Sequence, residues 1–220
     1  MNLPKLAIFD MDGLLFDTER VLMEENAKVM KEYGYTQRFE DYVRTIGTAG
    51  DMFYGTLYEI HGADYPAHEI SEQSVVREKE RLRREGVPVK PGIPELLTFF
   101  RDRKVPCCVA TSTRREEAEE FLALGGLLPF FSFVVTSWDV AHSKPAPDVF
   151  LLACERGGTA PEDAMVFEDS QNGVLASFRA GIPVVCIPDL KQPEPFYAEK
   201  ATVIVPSAEA VPALFEPIDF

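Results

Sequence analysis

The sequence predicts an α/β protein, a Rossmann-like doubly wound parallel sheet with an all-helical cap domain inserted into it, and three observations carry that prediction. Short apolar runs alternate with helix-period segments along the later part of the chain. One such run stands alone near the start, roughly 100 residues ahead of the next, and the stretch between them holds only helical candidates. Parallel strands need crossover helices, so the alternation itself argues for a parallel sheet.

The first run, Leu6 to Phe9, is bounded by polar residues and reads as a buried strand. From Asp17 to Glu85 the periodicity gives helices at Glu19 to Tyr33, Phe39 to Val43, Asp51 to Ile60 and Ile70 to Arg84. Residues 17–86 are therefore the expected cap, and residues 1–16 with 87–220 the expected catalytic core. The return connection, Val87-Pro88-Val89-Lys90-Pro91-Gly92, cannot be helical and reads as one strand of a hinge. Beyond it the rhythm runs helix Ile93 to Arg103, strand Cys107 to Ala110, helix Arg114 to Leu124, strand Phe133 to Val135 and helix Asp148 to Arg156. It continues with strand Met165 to Phe167, helix Gly173 to Ala180, strands Val184 to Ile187 and Val203 to Val205, and a helical pattern at Glu209 to Phe215. Thr113 with Glu116 has the spacing of a capping box, Pro145 suits a first helical turn, and Gly125 and Gly181 follow their helices. The prolines between Pro188 and Pro195 suit a surface loop.

Composition closes off several classes. Thirty-six acidic residues against 22 basic ones give a formal charge of -14, a field that repels nucleic acid and anionic lipid. No apolar run approaches the ~18 residues that span a bilayer. Cys107, Cys108, Cys154 and Cys186 lie in apolar segments without CxxC spacing and read as reduced core residues. The opening MNLPKLAIFD lacks the pattern of a signal peptide, so a cytoplasmic location is expected, and a monomer with it.

Ligands of an open parallel sheet bind outside the carboxyl ends of its strands, and four of those positions carry reactive groups. They are Asp10-Met11-Asp12-Gly13, Thr111-Ser112, the Ser143-Lys144-Pro145 loop and Glu168-Asp169-Ser170. Each alone is ordinary: a DxD turn, a helix cap, a surface lysine. Together they place four carboxylates, a lysine and a hydroxyl around one crevice. Crowded carboxylates demand a cation, and oxygen ligands without histidine or cysteine suit Mg2+. A divalent ion beside a lysine and a helix N-terminus suits a phosphate group. At an effective dielectric of ~20, opposite charges about 4 Å apart attract by roughly 4 kcal/mol, enough to offset the repulsion between a carboxylate nucleophile and a phosphate dianion.

The stretches Phe9 to Glu19, Val109-Ala110-Thr111-Ser112, Ser143 to Asp148 and Phe167 to Gly173 resemble, in order and spacing, the haloacid dehalogenase superfamily, in its branch with a helical cap after the first motif. The resemblance covers essentially the whole chain. It implies that Asp10 is a nucleophile forming an aspartyl phosphate and that Asp12 is the general acid and base. It implies that Thr111 and the Ser112 N–H bind phosphate, and that Lys144 bridges phosphate and Asp10. Mg2+ would be held by Asp10, the Asp12 carbonyl and Asp169, with Glu168 reaching it through water. Dehalogenases themselves lack an equivalent of Asp12, which favours phosphoester chemistry.

The resemblance implies hydrolysis of a small phosphorylated metabolite, a phosphosugar or a nucleoside monophosphate, with pseudouridine 5'-phosphatases and β-phosphoglucomutases as the related types. Where mutases carry a cap histidine and arginine this chain has Leu22 and Gly50, which favours hydrolase over mutase. A non-catalytic phospho-acceptor module is the remaining alternative, disfavoured by the insert and by the place of Asp10 on the first strand. The cap is expected to select the leaving group, with Glu19, Thr48 and Arg77 as candidates and His142 at the rim. Arg77, Arg81 and Arg84 form a stripe that fits a solvated face as well as an anion site. Trp138 and Phe131 are expected to be packing residues.

Overall fold

The computed structural model describes residues 1–48 and 50–215. Strand β1 (Leu6–Phe9) leads into α1 (Thr18–Glu32), α2 (Phe39–Thr45), α3 (Gly50–His61) and α4 (Ala67–Glu85). The chain continues through α5 (Ile93–Asp102), β2 (Cys107–Thr111), α6 (Arg115–Leu124), β3 (Phe131–Thr136) and α7 (Asp148–Arg156). It ends with β4 (Ala164–Glu168), α8 (Gln171–Ala180), β5 (Val184–Cys186), α9 (Pro195–Ala198) and β6 (Val203–Ile204). These elements form two compact units, Met1–Asp17 with Pro88–Phe220, and Thr18–Val87.

In the first unit the six strands lie in the order β3-β2-β1-β4-β5-β6, all parallel, which is the doubly wound order. The chain builds outward from β1 in one direction and then in the other. Direction reverses beside β1, so the ends of β1, β2 and β4 open on one switch point. All four residues of β1 are buried, as are all of β2 and β4, which is why they read as unbroken apolar runs. Phe9 stacks on Phe167 with ring centroids 4.7 Å apart, and Phe100 meets both edgewise or tilted, a cluster in which each ring buried contributes about 1.5–3 kcal/mol. The outer strand β6 is only half covered.

Three local expectations change. The 209–215 pattern is two separate 3-10 turns, Ala208–Ala210 and Pro212–Leu214, because Pro212 cannot continue the first. Pro145 lies outside the helix it was expected to start, since α7 opens at Asp148 with Pro147 as its N-cap. Trp138 is no packing residue: it is 66% exposed and carries the Arg114 guanidinium 4.4 Å above its ring. The four cysteines are buried free thiols, and burial pushes Cys107 and Cys186 up to about 12, where a thiol is inert.

The second unit is a helical bundle in which α1 and α4 pack side by side. Arg81 joins Glu24 and Glu25 of α1, Arg77 joins Glu32, and Asn26 donates to Ser74. Its small core is Val29, Met30, Tyr65, Ala67 and Ile70. Among the described residues no helix is long and apolar enough to cross a membrane.

Candidate active site

The site grows from the ends of three adjacent strands. Asp10 follows β1, and its N–H donates to Phe167 O, which fixes it against the end of β4. Beyond Asp12 the chain turns at once: Gly13 has φ 81°, and a Cβ there would meet Asp169 Oδ2 at 2.3 Å. Only glycine lets the first strand's loop lie this close to the Asp169 carboxylate.

Lys144 is the hub. Its ammonium donates to Asp10 Oδ1 at 2.5 Å, to Glu168 Oε1 at 2.8 Å and to Ala110 O at 3.0 Å, with the Phe150 ring 4.7 Å beneath it. All three protons are spent within the protein, so it acts on an incoming anion through its charge. The group is dry, with side chains exposed by 5% for Lys144, 11% for Asp10 and 1% for Glu168. Glu168 Oε2 accepts from both the N–H and the hydroxyl of Ser170, whose oxygen in turn caps α8 by accepting from Gly173 N–H. A Cβ on Gly173 would fall 1.7 Å from Glu168 Oε1. The carboxylate thus rests on the start of α8, where exposed N–H dipoles favour negative charge.

Asp12 takes a side-chain partner from the start of the segment after β2. The Thr113 hydroxyl donates to Asp12 Oδ2 at 2.7 Å, while the N-cap of α6 is Arg114, which makes no side-chain cap. The expected Thr113–Glu116 capping box is absent because α6 begins one residue later, with Arg114 and not Thr113 at its N-cap. Thr111 is buried at the end of β2 and its oxygen accepts from Thr113 N–H, leaving its own proton unassigned to any described residue; Ser112 beside it is exposed.

Four carboxylates share this neighbourhood with one ammonium. Burial drives the Asp10 carboxyl upward, Lys144 pulls it back, and Glu168 and Asp12 repel it again, so that it is pushed up to about 7. Lys144 is held well above its ordinary value by Asp10 and Glu168 despite burial. Asp10, Glu168 and Asp169 each offer an oxygen within 4.8 Å of the others, a hard donor set that fits Mg2+.

The specificity candidates part company. Glu19 and Thr48 both line one cavity within the second unit. Arg77 does not line it, and its guanidinium is held by both oxygens of Glu32 at 2.6 Å. Arg81 and Arg84 are likewise ion-paired, so the stripe is a solvated face. His142 is exposed and pairs with Asp148 at the start of α7. Sequence reasoning missed Thr113, Ser170 and Phe150 as supports of the site; the Ser-x-x-Gly spacing of Ser170 and Gly173 is the one signal that marked a helix start there.

The chain is similar to known proteins along most of its length. A profile described as haloacid dehalogenase-like hydrolase matches residues 7–187. A Drosophila melanogaster protein named probable pseudouridine-5'-phosphatase is 32% identical over 214 residues, spanning 94% of this chain and 92% of its own. The phosphorylated carbohydrates phosphatase of Thermotoga maritima is 35% identical over 175 residues, 80% of this chain and 81% of that one. Among solved structures, that of a Thermotoga maritima protein assigned as a β-phosphoglucomutase superposes with a TM-score of 0.76 at 30% identity, covering 97% of this chain and 98% of the other.

Proposed function

The chain belongs to the haloacid dehalogenase-like hydrolases and is a phosphatase, and from that premise we propose that it hydrolyses a small phosphate monoester through an aspartyl phosphate formed on Asp10, with Mg2+ as cofactor. The observation that carries this reading is the dry Lys144 hub. It holds Asp10 in place, supplies the one ammonium among the crowded carboxylates, and sits beside three oxygen donors suited to one divalent ion.

Asp10 attacks phosphorus, the bond to the alcohol oxygen breaks, and Asp12 gives its proton to that departing oxygen. Asp12 then takes a proton from water, the water oxygen attacks the phosphorus, and the bond to Asp10 breaks, releasing inorganic phosphate. Thr113 holds the Asp12 carboxyl in one orientation through both steps. Lys144 stabilises the charge that grows on the phosphoryl oxygens, and the Thr111 proton and Ser112 N–H hold those oxygens. Asp10 and Asp169, with the Asp12 carbonyl, would bind Mg2+ directly, and Glu168, whose oxygens serve Lys144 and Ser170, would reach it through water. That ion would screen the phosphate's charge against the acids.

The test is release of inorganic phosphate from a panel of phosphosugars and nucleoside monophosphates, dependent on Mg2+ and lost by at least ~10³-fold in Asp10→Asn. Full activity in that variant would sink the mechanism. A mutase reading needs a grip on a second phosphate, and among the described residues the cap's cavity is lined by no lysine or arginine. Interconversion of β-glucose 1-phosphate and glucose 6-phosphate faster than hydrolysis would reverse the choice.

A further inference from the structure

The Lys144 ammonium has two kinds of neighbour, those that change chemically during turnover and those that do not. Asp10 Oδ1 and Glu168 Oε1 accept two of its protons and Ala110 O the third, while the ring of Phe150 lies under the ammonium at 4.7 Å. Asp10 is the group that the function proposed above phosphorylates, and Asp10, Glu168 and Asp169 form the cluster suited to a divalent ion. Both carboxylates on Lys144 therefore change charge or partners as that reaction proceeds. Ala110 O and the Phe150 ring keep theirs. Ala110 lies on β2 and Phe150 is the third residue of α7; both are 0% exposed and belong to one packed cluster with Leu6, Ile8, Val149 and Ala153. Packing against the sheet thus sets where the ring stands.

The face of an aromatic ring is negative, so it attracts an ammonium, yet it has no oxygen lone pair to take one of the three protons. A fourth oxygen in its place would compete with Asp10, Glu168 and Ala110 O. An aliphatic side chain would exclude water as well but offer the charge no attraction. The Lys144 side chain is 5% exposed, so water does little to weaken the contact. We propose that Phe150 is a positioning residue whose ring face holds the Lys144 ammonium against the phosphoryl group. Its hold matters most at the phosphoenzyme, where Asp10 has exchanged its negative charge for a bond to phosphorus and Lys144 has lost one of its two anionic partners. This role rests on the aspartyl phosphate reading, while the contact itself is measurable without turnover.

Replacing Phe150 by 3,4,5-trifluorophenylalanine cancels most of the negative face with little change in shape. Urea unfolding of the protein with and without this replacement, each in the presence of Lys144 and of Lys144→Met, isolates the coupling between ring and ammonium. The fluorines should lower the folding constant roughly tenfold beside Lys144 and less than about twofold beside the methionine. An equal loss in both backgrounds, or none in either, overturns the proposal and makes Phe150 a packing residue. A graded series of 4-fluoro-, 3,5-difluoro- and 3,4,5-trifluorophenylalanine at position 150 needs no change at Lys144 and serves even if Lys144→Met folds poorly. Across it, kcat for phosphate release should fall stepwise to a total of about tenfold with KM within about twofold, and the aspartyl phosphate trapped by acid quench should rise. A flat series overturns the proposal as well. Coupling in the unfolding experiment without any phosphate release would fail the proposed function and leave the contact standing, whereas a phosphatase indifferent to the fluorines would fail this inference alone.

Discussion

Each of the two units buries a carboxylate against positive charge, and the two carboxylates respond in opposite ways. In the first unit Asp10 and Glu168 flank Lys144, which is 5% exposed. In the second, Glu25 is 7% exposed, yet its partners Arg81 and Lys28 are 25% and 57% exposed. Burial raises both acids. Around Glu25 it is outweighed by hydrogen bonds from Lys28 and Arg81 and by their charge, and the carboxyl falls below its ordinary range. Around Asp10 two further acids add to burial, and the carboxyl rises to about 7. A salt bridge alone therefore does not mark an active site. What marks one here is a shortage of positive charge where water cannot make up the deficit.

The sharpest way to break this contrast is Lys144→Ala, which leaves Asp10 and Glu168 facing each other without a cation. Loss of about 3–5 kcal/mol in urea denaturation and a fall of at least ~10³-fold in phosphate release are expected, with Mg2+ restoring part of the stability. A stability loss under ~1 kcal/mol would mean the hub is not electrostatically strained. Next in size is Gly173→Ala, whose added Cβ has no space beside Glu168 Oε1. It should cost about 2–3 kcal/mol and shift the Mg2+ concentration for half-activation upward by roughly 10–100-fold. An unchanged metal dependence would separate Glu168 from the metal. Thr113→Val should lower kcat by about tenfold with KM little changed and stability within ~1 kcal/mol, and Thr113→Ser should restore the rate; equal loss in both variants would assign Thr113 a purely structural role.

The smallest effect belongs to the cap. Because the folded Glu25 carboxyl lies below its ordinary value of 4.5, its contribution is complete above pH 4.5 and is lost as the pH falls through the depressed folded value. Glu25→Gln should therefore lower stability by about 1 kcal/mol at pH 7, and its thermal unfolding curve should converge on that of the unaltered protein in acid. A gap that widened in acid would reverse the sign assigned to Glu25.

The strand ends were legible in the sequence because apolar runs stop abruptly at acids, as at Phe9-Asp10 and Phe167-Glu168. The supports behind them were harder to see. Thr113 shows a local Thr-x-x-Glu pattern, but the helix starts one residue later and its side-chain partner stands 101 residues earlier, a contact about which a short-range signal carries no information. Trp138 reads in sequence as a packing residue, yet the turn after β3 leaves it on the surface under Arg114. The cap's interior was least readable: its cavity is built from single hydroxyls and amides on four separate segments, and in sequence each looks like an ordinary polar face.

The central place of β1 bears on how the chain is made. Its pairing partners are β2, about 100 residues later, and β4, about 160 later. At ~5–20 residues per second, an emerging ribosomal chain holds the apolar Leu6–Phe9 segment without its second neighbour for roughly 8–30 s. The helices of residues 18–87 form a compact unit whose chain is made before β2, so a helical domain is tethered to an apolar strand that is still unpaired. That interval is the one in which chaperones have most to contribute, and slowing translation at any point between residues 10 and 164 should raise aggregation more than slowing it beyond β4.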